Sequence, residues 1–320
     1  MLAASAGAQP TPAEALPPGA FQVYTADGAP ASLDSLVSAM AAAEVVLLGE
    51  THDDAVAHVL QLDLLQRAHA AYAAARPLAL SLEMFERDVQ LVLDEYLAGL
   101  ITESTFLGAS RPWSNYETDY RPMVEWARAH SLPVVAANAP RRYVNRVSRL
   151  GAASLADVPA AAQAYLPPLP YGGASAAYEA KWNAIMREMA AAHGHSPAED
   201  DTTVTPDPVE AADTTAAAPP PIMPDGNTML QAQSLWDASM GYAVVEHLMK
   251  QPAALVLHVT GSFHVERGLG TPEQIARYRP GTRRLIVVFR PAADATQFNE
   301  ADHAGLGDFV VLTQAPTAGR

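Results

Sequence analysis

Apolar residues recur along this chain in two alternating rhythms. Continuous runs of strand length occur at Val45–Leu48, Leu78–Leu82, Val134–Ala137, Leu255–Val259 and Leu285–Phe289. Such unbroken runs are what strands covered on both faces produce. Between them, apolar residues return at helical spacing at about 54–74, 87–100, 119–130 and 140–150. The alternation predicts an α/β fold, a doubly wound, mostly parallel sheet flanked by helices on both faces. Phe309–Leu312 is a sixth strand candidate, and Phe21–Tyr24 followed by Ala26-Asp27-Gly28 reads as a short strand and turn. Ser32 then caps a helix through about Ala43, with Leu33, Leu36, Val37 and Met40 on one face.

The rhythm breaks between Leu150 and Pro252. Helical patterns near 175–192 and 228–250 bracket residues 194–226, which hold seven prolines and few groups to bury. The helices predict an annex over the sheet edge or the site, and the stretch between them predicts a disordered acidic insert. The expected organisation is a mobile N-terminal segment over 1–19, one α/β domain over 20–193 and 227–314, the insert, and a tail over 315–320. There is no internal repeat.

Composition narrows the function classes. At 320 residues and 49% hydrophobic, the chain can bury one large core. Its longest apolar runs are too short to span a bilayer. The absence of cysteine excludes disulfides, thiolate metal sites, a cysteine nucleophile and a lipidated N-terminal cysteine. The formal charge of −15 argues against nucleic acid as a partner. Seven acids fall within 196–226 without one Lys or Arg, so the folded part is only mildly acidic. Residues 1–8 have the small side chains of a signal-peptide end but lack a basic start. Either a targeting segment was removed before this numbering begins or there was none; the small residues favour removal.

Candidate chemistry is concentrated where the apolar runs end. Val45–Leu48 runs into Gly49-Glu50-Thr51-His52, and Leu78–Leu82 into Glu83. Val134–Ala137 runs into Asn138-Ala139-Pro140-Arg141, and Leu255–Val259 into Thr260-Gly261-Ser262-Phe263-His264. Ligands of open parallel sheets bind beyond the carboxyl ends of the strands. Four polar strand ends therefore predict one shared site containing Glu50, His52, Glu83 and His264. The plain alternatives are a loop capping the next helix through Asp53 or Thr51, and a structurally paired Glu83. His258, inside its strand, reads as a satisfied core histidine.

After Asn138, Pro140 suits the first turn of a helix, whose free N–H groups offer an anion site. Arg142, Arg146 and Arg149 share one face of that helix, either solvated or set to bind carboxylate or phosphate. The loop Arg111–Pro122 crowds aromatics and charges together, so Tyr116 and Tyr120 either line a pocket for a flat ligand or pack on the sheet edge. No Gly-x-Ser-x-Gly elbow, P-loop, dinucleotide fingerprint or His-Glu-x-x-His occurs.

Taken in order, Val45–His52, Ser81–Phe85, Leu132–Arg141 and Gly261–His264 resemble the ChaN-like haem-binding family over roughly 21–290. The resemblance implies an α/β domain with a helical annex that binds haem, often an envelope lipoprotein linked to iron uptake in bacteria, with plastid relatives in plants and algae. It further implies a homodimer with tyrosine-ligated haem at its interface, for which Tyr116, Tyr120 and Tyr143 are candidates. Asn138, Arg141, Arg142 and Arg146 would then serve the cofactor, Arg142 or Arg146 by pairing with a propionate. The lipoprotein pattern fails here for want of a cysteine, which leaves peripheral membrane association as the alternative. The same four acid and histidine positions are similar in outline to erythromycin esterase-like hydrolases. In that reading Glu50, His52, Glu83 and His264 activate water as acid and base or through a divalent metal. A third reading is an assembly protein that recruits partners through the insert.

Overall fold

The apolar runs pair into one eight-stranded sheet in the computed structural model, which describes residues 11–193 and 226–315. The strands are β1 (Phe21–Thr25), β2 (Pro30–Ala31), β3 (Val45–Glu50), β4 (Leu78–Glu86), β5 (Val134–Asn138), β6 (Leu255–Gly261), β7 (Arg284–Ala292) and β8 (Phe309–Gln314). Their spatial order is β2-β1-β8-β7-β3-β6-β4-β5. β3 to β8 run parallel to one another, and β1 lies antiparallel to β8 and β2. The helices are α1 (Leu33–Ala39), α2 (Ala55–Tyr72), α3 (Gln90–Leu97), α4 (Glu103–Ser110), α5 (Arg121–Ala129), α6 (Arg141–Leu150), α7 (Ala160–Gln163), α8 (Ala176–His193), α9 (Gly226–Lys250), α10 (Thr271–Tyr278) and α11 (Glu300–His303).

Alternation along the strands assigns each face its helices. Val46, Leu48, Leu80, Leu82, Leu257 and Val259 pack with α2 residues such as Leu60 and Leu64. Val45, Leu47, Ala79 and Val256 pack with Val244, Val245 and Leu248 of α9. Each such fully buried Val or Leu contributes on the order of 1.5–3 kcal/mol relative to exposure. Both faces being covered explains the unbroken apolar runs.

Local signals set the helix starts. Ser32 accepts a hydrogen bond from the Ser35 N–H at 3.1 Å to cap α1. Asp54, rather than Asp53 or Thr51, caps α2 by accepting from Val56 and Ala57 at 3.1 and 3.0 Å. Asp54 can do this while buried because Thr313 of β8 donates to its other oxygen at 2.5 Å. Both open edges are blunted. Pro30 sits in the two-residue β2, and on β5 the Gln90 side chain accepts from Ala136 N–H and donates to the Val134 carbonyl, at 2.7 and 2.9 Å.

Three boundaries differ from expectation. Residues 11–19, expected to be mobile, include a short 3-10 turn over Pro12–Ala15, and the Ala13 N–H donates to Asp63 of α2 at 3.1 Å. α4 was not foreseen, although Thr102 caps it. The strands β3, β4 and β6 also run past their apolar cores to Glu50, Glu86 and Gly261. Of the expected insert, residues 194–225 lie outside the described residues, and Gly226 opens α9. Among the described residues no helix is long and apolar enough to cross a membrane.

Candidate functional site

The polar strand ends gather at the carboxyl edge of β3, β6, β4 and β5, Glu50 on the α2 side and Glu83 and His264 on the α9 side. Glu50 closes β3 towards α2. Its Oε1 accepts from the Tyr120 hydroxyl at 2.6 Å and lies 3.0 Å from His52 Nδ1. Its Oε2 accepts from Gln61 Nε2 at 2.6 Å, with His58 Nδ1 at 3.3 Å. These contacts let a carboxylate sit fully buried. His52 stands beyond the strand with 45% of its side chain exposed, edge-on to Trp113 at 4.8 Å between ring centroids. Burial pulls its pKa down, but the Glu50 and Glu83 carboxylates win and hold it above the ordinary histidine value.

Glu83 sits on the α9 face, where the β4–β5 register shifts between Leu82 and Glu86. A bulge of this kind re-aims side chains at sheet ends. Glu83 Oε2 accepts from Thr260 Oγ1 at 2.6 Å and from the Gly261 N–H at 2.8 Å. Its Oε1 lies 3.8 Å from His264 Nε2. Burial would raise its pKa, yet the neighbouring His264 and His52 and these two donors keep it below the usual carboxylate value.

His264 is oriented from α9. Its Nδ1 lies 2.9 Å from Asp237 Oδ1, which also accepts from Thr271 Oγ1 at 3.0 Å. Asp237 Oδ2 accepts from the Tyr178 hydroxyl of α8 at 2.5 Å. A carboxylate can only accept, so Nδ1 carries the proton and Nε2 faces Glu83. Burial opposes the charged ring, but Asp237 and Glu83 outweigh it and its pKa is raised. The two couples, Glu50–His52 and Glu83–His264–Asp237, approach each other at Gly261. A Cβ built there would stand 3.0 Å from His52 Cε1 and Nε2, and 3.7 Å from His264 Cδ2.

Beside these couples opens a cleft of about 590 Å³ lined by Glu83, Arg111, Trp113, Asn138, Arg141 and Trp236, among others. That volume is within the usual range for small-molecule sites. Of the four expected acid and histidine side chains, Glu83 lines the cleft directly. His52 and His264 adjoin it through Trp113 and Trp236, the latter ring pair 6.4 Å apart.

The tyrosines are placed otherwise. Tyr116 is buried against Phe85 and Phe106, and its hydroxyl has no partner among the described residues. Burial pushes its pKa, and that of Tyr120, upward. Neither presents a phenolate to the cleft, and the packing alternative holds for both. Tyr143 is half-buried beneath the Arg142 guanidinium, 4.5 Å from its ring centroid, and is not a cleft-lining side chain. Arg142 pairs with Asp88, Arg146 with Asp157 and the Ser154 carbonyl, and Arg149 with the Asn145 carbonyl. The arginine face is thus held by groups of its own chain. Arg141 has no such partner among the described residues.

His258 is in the core, as expected, but only half satisfied. Its Nδ1 meets Ser81 Oγ at 2.9 Å while Nε2 has no partner among the described residues. Burial pushes its pKa down to about 4. For the metal reading, the acid and histidine atoms contact one another, and among the described residues no three His, Asp or Glu side chains form a group able to hold a metal ion. Asp237, Trp236 and Gln61 were missed from the sequence. The available signal was a charged residue, Asp237, among apolar and small neighbours on a long helix.

No curated protein matches the sequence. Among solved structures, ChaN of Campylobacter jejuni, described with cofacial haem binding, aligns at a TM-score of 0.63 and 16% identity. That match covers 92% of this chain and 97% of the other. An erythromycin esterase, EreC, in its open conformation aligns at 0.44 and 12% identity, covering 94% and 84%. The family described as haem-binding uptake, Tiki superfamily, ChaN, matches residues 36–275. That span is most of the chain, and this protein belongs to the ChaN haem-binding uptake family.

Proposed function

We propose that this protein binds haem in the cleft at the carboxyl edge of its sheet, as part of haem or iron handling. The observation that carries the reading is the cleft lining, in which two indoles, Trp113 and Trp236, adjoin Arg111 and Arg141. Indole faces and edges suit a flat apolar macrocycle, and guanidinium groups suit its propionates. The residues fit haem in body and charge. A phenolate for the iron is not offered by Tyr116 or Tyr120, whose hydroxyls are enclosed. Haem, when bound, supplies the iron and its redox chemistry; the chain supplies the walls and the charge.

Titrating pure protein with hemin tests this. A saturable Soret shift is expected, and Trp113→Ala or Trp236→Ala weakens binding by roughly tenfold, the loss of one aromatic contact. No spectral change at any ratio removes the reading. Sedimentation during the same titration reads whether hemin draws two copies together, the homodimer that the family resemblance implies.

A second reading rests on a separate observation, the convergence of two acid–histidine couples on Gly261. With one imidazole charged and a carboxylate as base, such an arrangement can activate water and protonate a leaving group. A panel of ester and peptide substrates tests it. Any turnover found should be abolished in Glu50→Gln and Glu83→Gln, and turnover that persists in both variants rules the reading out.

A further inference from the structure

We propose that the start of α6, with Asn138 and Arg141, is an anion subsite of the cleft that takes the carboxylate of a flat, apolar ligand. α6 has ten residues, and its N-cap, Pro140, offers no side-chain cap. The Tyr143 N–H folds back onto the Pro140 carbonyl at 2.8 Å, whereas the N–H groups of Arg141 and Arg142 have no partner among the described residues. Unpaired N–H groups at a helix start carry partial positive charge.

Asn138 independently indicates a ligand. It is only 8% exposed, and it lines the cleft. Its Oδ1 accepts from the Ala139 N–H at 2.9 Å. That bond fixes the orientation of the amide, since an N–H can donate only to the oxygen. The NH₂ group is left without an acceptor among the described residues, inside a cleft whose wall includes the unpaired Arg141. The residue is nearly enclosed, yet this donor stays open to the cleft, where a ligand's acceptor can meet it.

The local charge count agrees. Arg111 pairs with Glu86 and Asp88, and Arg142 pairs with Asp88. Glu83 is bonded by Thr260 and Gly261 and faces His264. Among the described residues Arg141 has no acid partner at the mouth, and one carboxylate would neutralise it. Trp113 and Trp236 line the same cleft and would contact the ligand's apolar body. The inference deepens the haem reading, since propionates are carboxylates, yet it also stands for any flat acid.

Two probes separate the cases. Titration with 2-naphthoate, followed by ¹H–¹⁵N spectra, should move the backbone resonances of Arg141 and Arg142 and the side-chain amide of Asn138. Neutral 2-naphthamide should bind at least roughly tenfold more weakly, the equivalent of one charge-assisted hydrogen bond. Arg141→Glu changes an exposed residue. Asn138→Asp keeps the acceptor for Ala139 and turns a carboxylate to the cleft. Both variants should lose naphthoate binding, and hemin should bind more tightly than its dimethyl ester. The proposal is overturned if naphthoate leaves those resonances unmoved, if naphthamide moves them equally, or if both variants bind like the parent. Hemin that binds both variants unchanged also overturns the subsite and leaves the haem reading standing. Naphthoate binding without hemin binding supports the subsite and removes the haem reading.

Discussion

Three histidines near the strand tips answer burial differently because their neighbours differ. His52 and His264 face carboxylates and have raised pKa values, whereas His258 meets Ser81 through Nδ1 and has no partner for Nε2 among the described residues, and burial lowers its pKa to about 4. A raised histidine adds stability that is complete below the unfolded value of 6.5 and is lost as pH climbs through the folded value. A lowered one is fully stabilising above 6.5, and its contribution declines as pH falls towards 4. Stability should therefore peak near pH 6.5. The His258 limb amounts to on the order of 3 kcal/mol, from about 1.4 kcal/mol per pKa unit. Thermal midpoints measured from pH 4 to 9 check this. His258→Gln should flatten the acid side and His264→Gln the alkaline side, and curves parallel to the parent in both variants would contradict the assignment. Asp237 belongs to the same balance. Asp237→Asn leaves the charge of His264 without its nearest partner, so the ring's pKa should fall in NMR titration. Stability should drop by about 3–5 kcal/mol, the range for breaking a buried pair.

At the scale of elements, β3 and β6 meet so closely that two glycines have different duties. A Cβ at Gly49 would lie 2.4 Å from Val265 Cγ2 and 3.0 Å from the Ser262 Cα, part of a backbone that cannot yield cheaply. Gly49→Ala should therefore cost about 1–3 kcal/mol, the range for overpacking. At Gly261 the obstacle is the His52 ring, which is half-exposed and able to swing away. Gly261→Ala should leave the denaturation midpoint nearly unchanged while returning the His52 pKa towards 6.5. Equal losses of stability in the two variants would show that the ring is locked. This contact also marks the limit of what the sequence discloses. The strands and the glutamates that end their apolar runs are legible, because a parallel sheet writes itself as unbroken apolar residues and places polar groups where cover stops. That Glu50 turns to α2 and Glu83 to α9 follows from strand alternation only once both strands are known to extend past their apolar cores. Asp237 and Trp236 were hidden because, although a lone acid among apolar and small neighbours marks α9 as unusual, a 25-residue helix carries no mark of which strand ends it crosses. The tyrosines misled for the opposite reason, since a loop rich in aromatics looks the same whether it lines a pocket or packs inward.

For the molecule as a whole, charge sets a conflict between reach and contact. The chain carries −15, and seven of its acids fall within 196–226, so an approaching dianionic porphyrin meets net repulsion. At the cleft, Arg111 and Arg142 are offset by Glu86 and Asp88, and Arg141 has no acid partner among the described residues, so the mouth is far less negative than the molecule as a whole. Salt discriminates between the two scales. The Debye length is about 30 Å at 0.01 M and about 8 Å at 0.15 M. At low salt the ligand therefore feels the whole molecule, and at physiological salt only the residues around the mouth. Hemin association should accelerate as salt rises over this range, because the long-range repulsion is screened first. Dissociation should accelerate as well, since salt also weakens the contact between a propionate and Arg141, and Arg141→Glu should abolish that second dependence but not the first. Stopped-flow measurement of both rates decides the matter. An association rate that falls with added salt would mean that the cations at the mouth, not the net charge, govern approach.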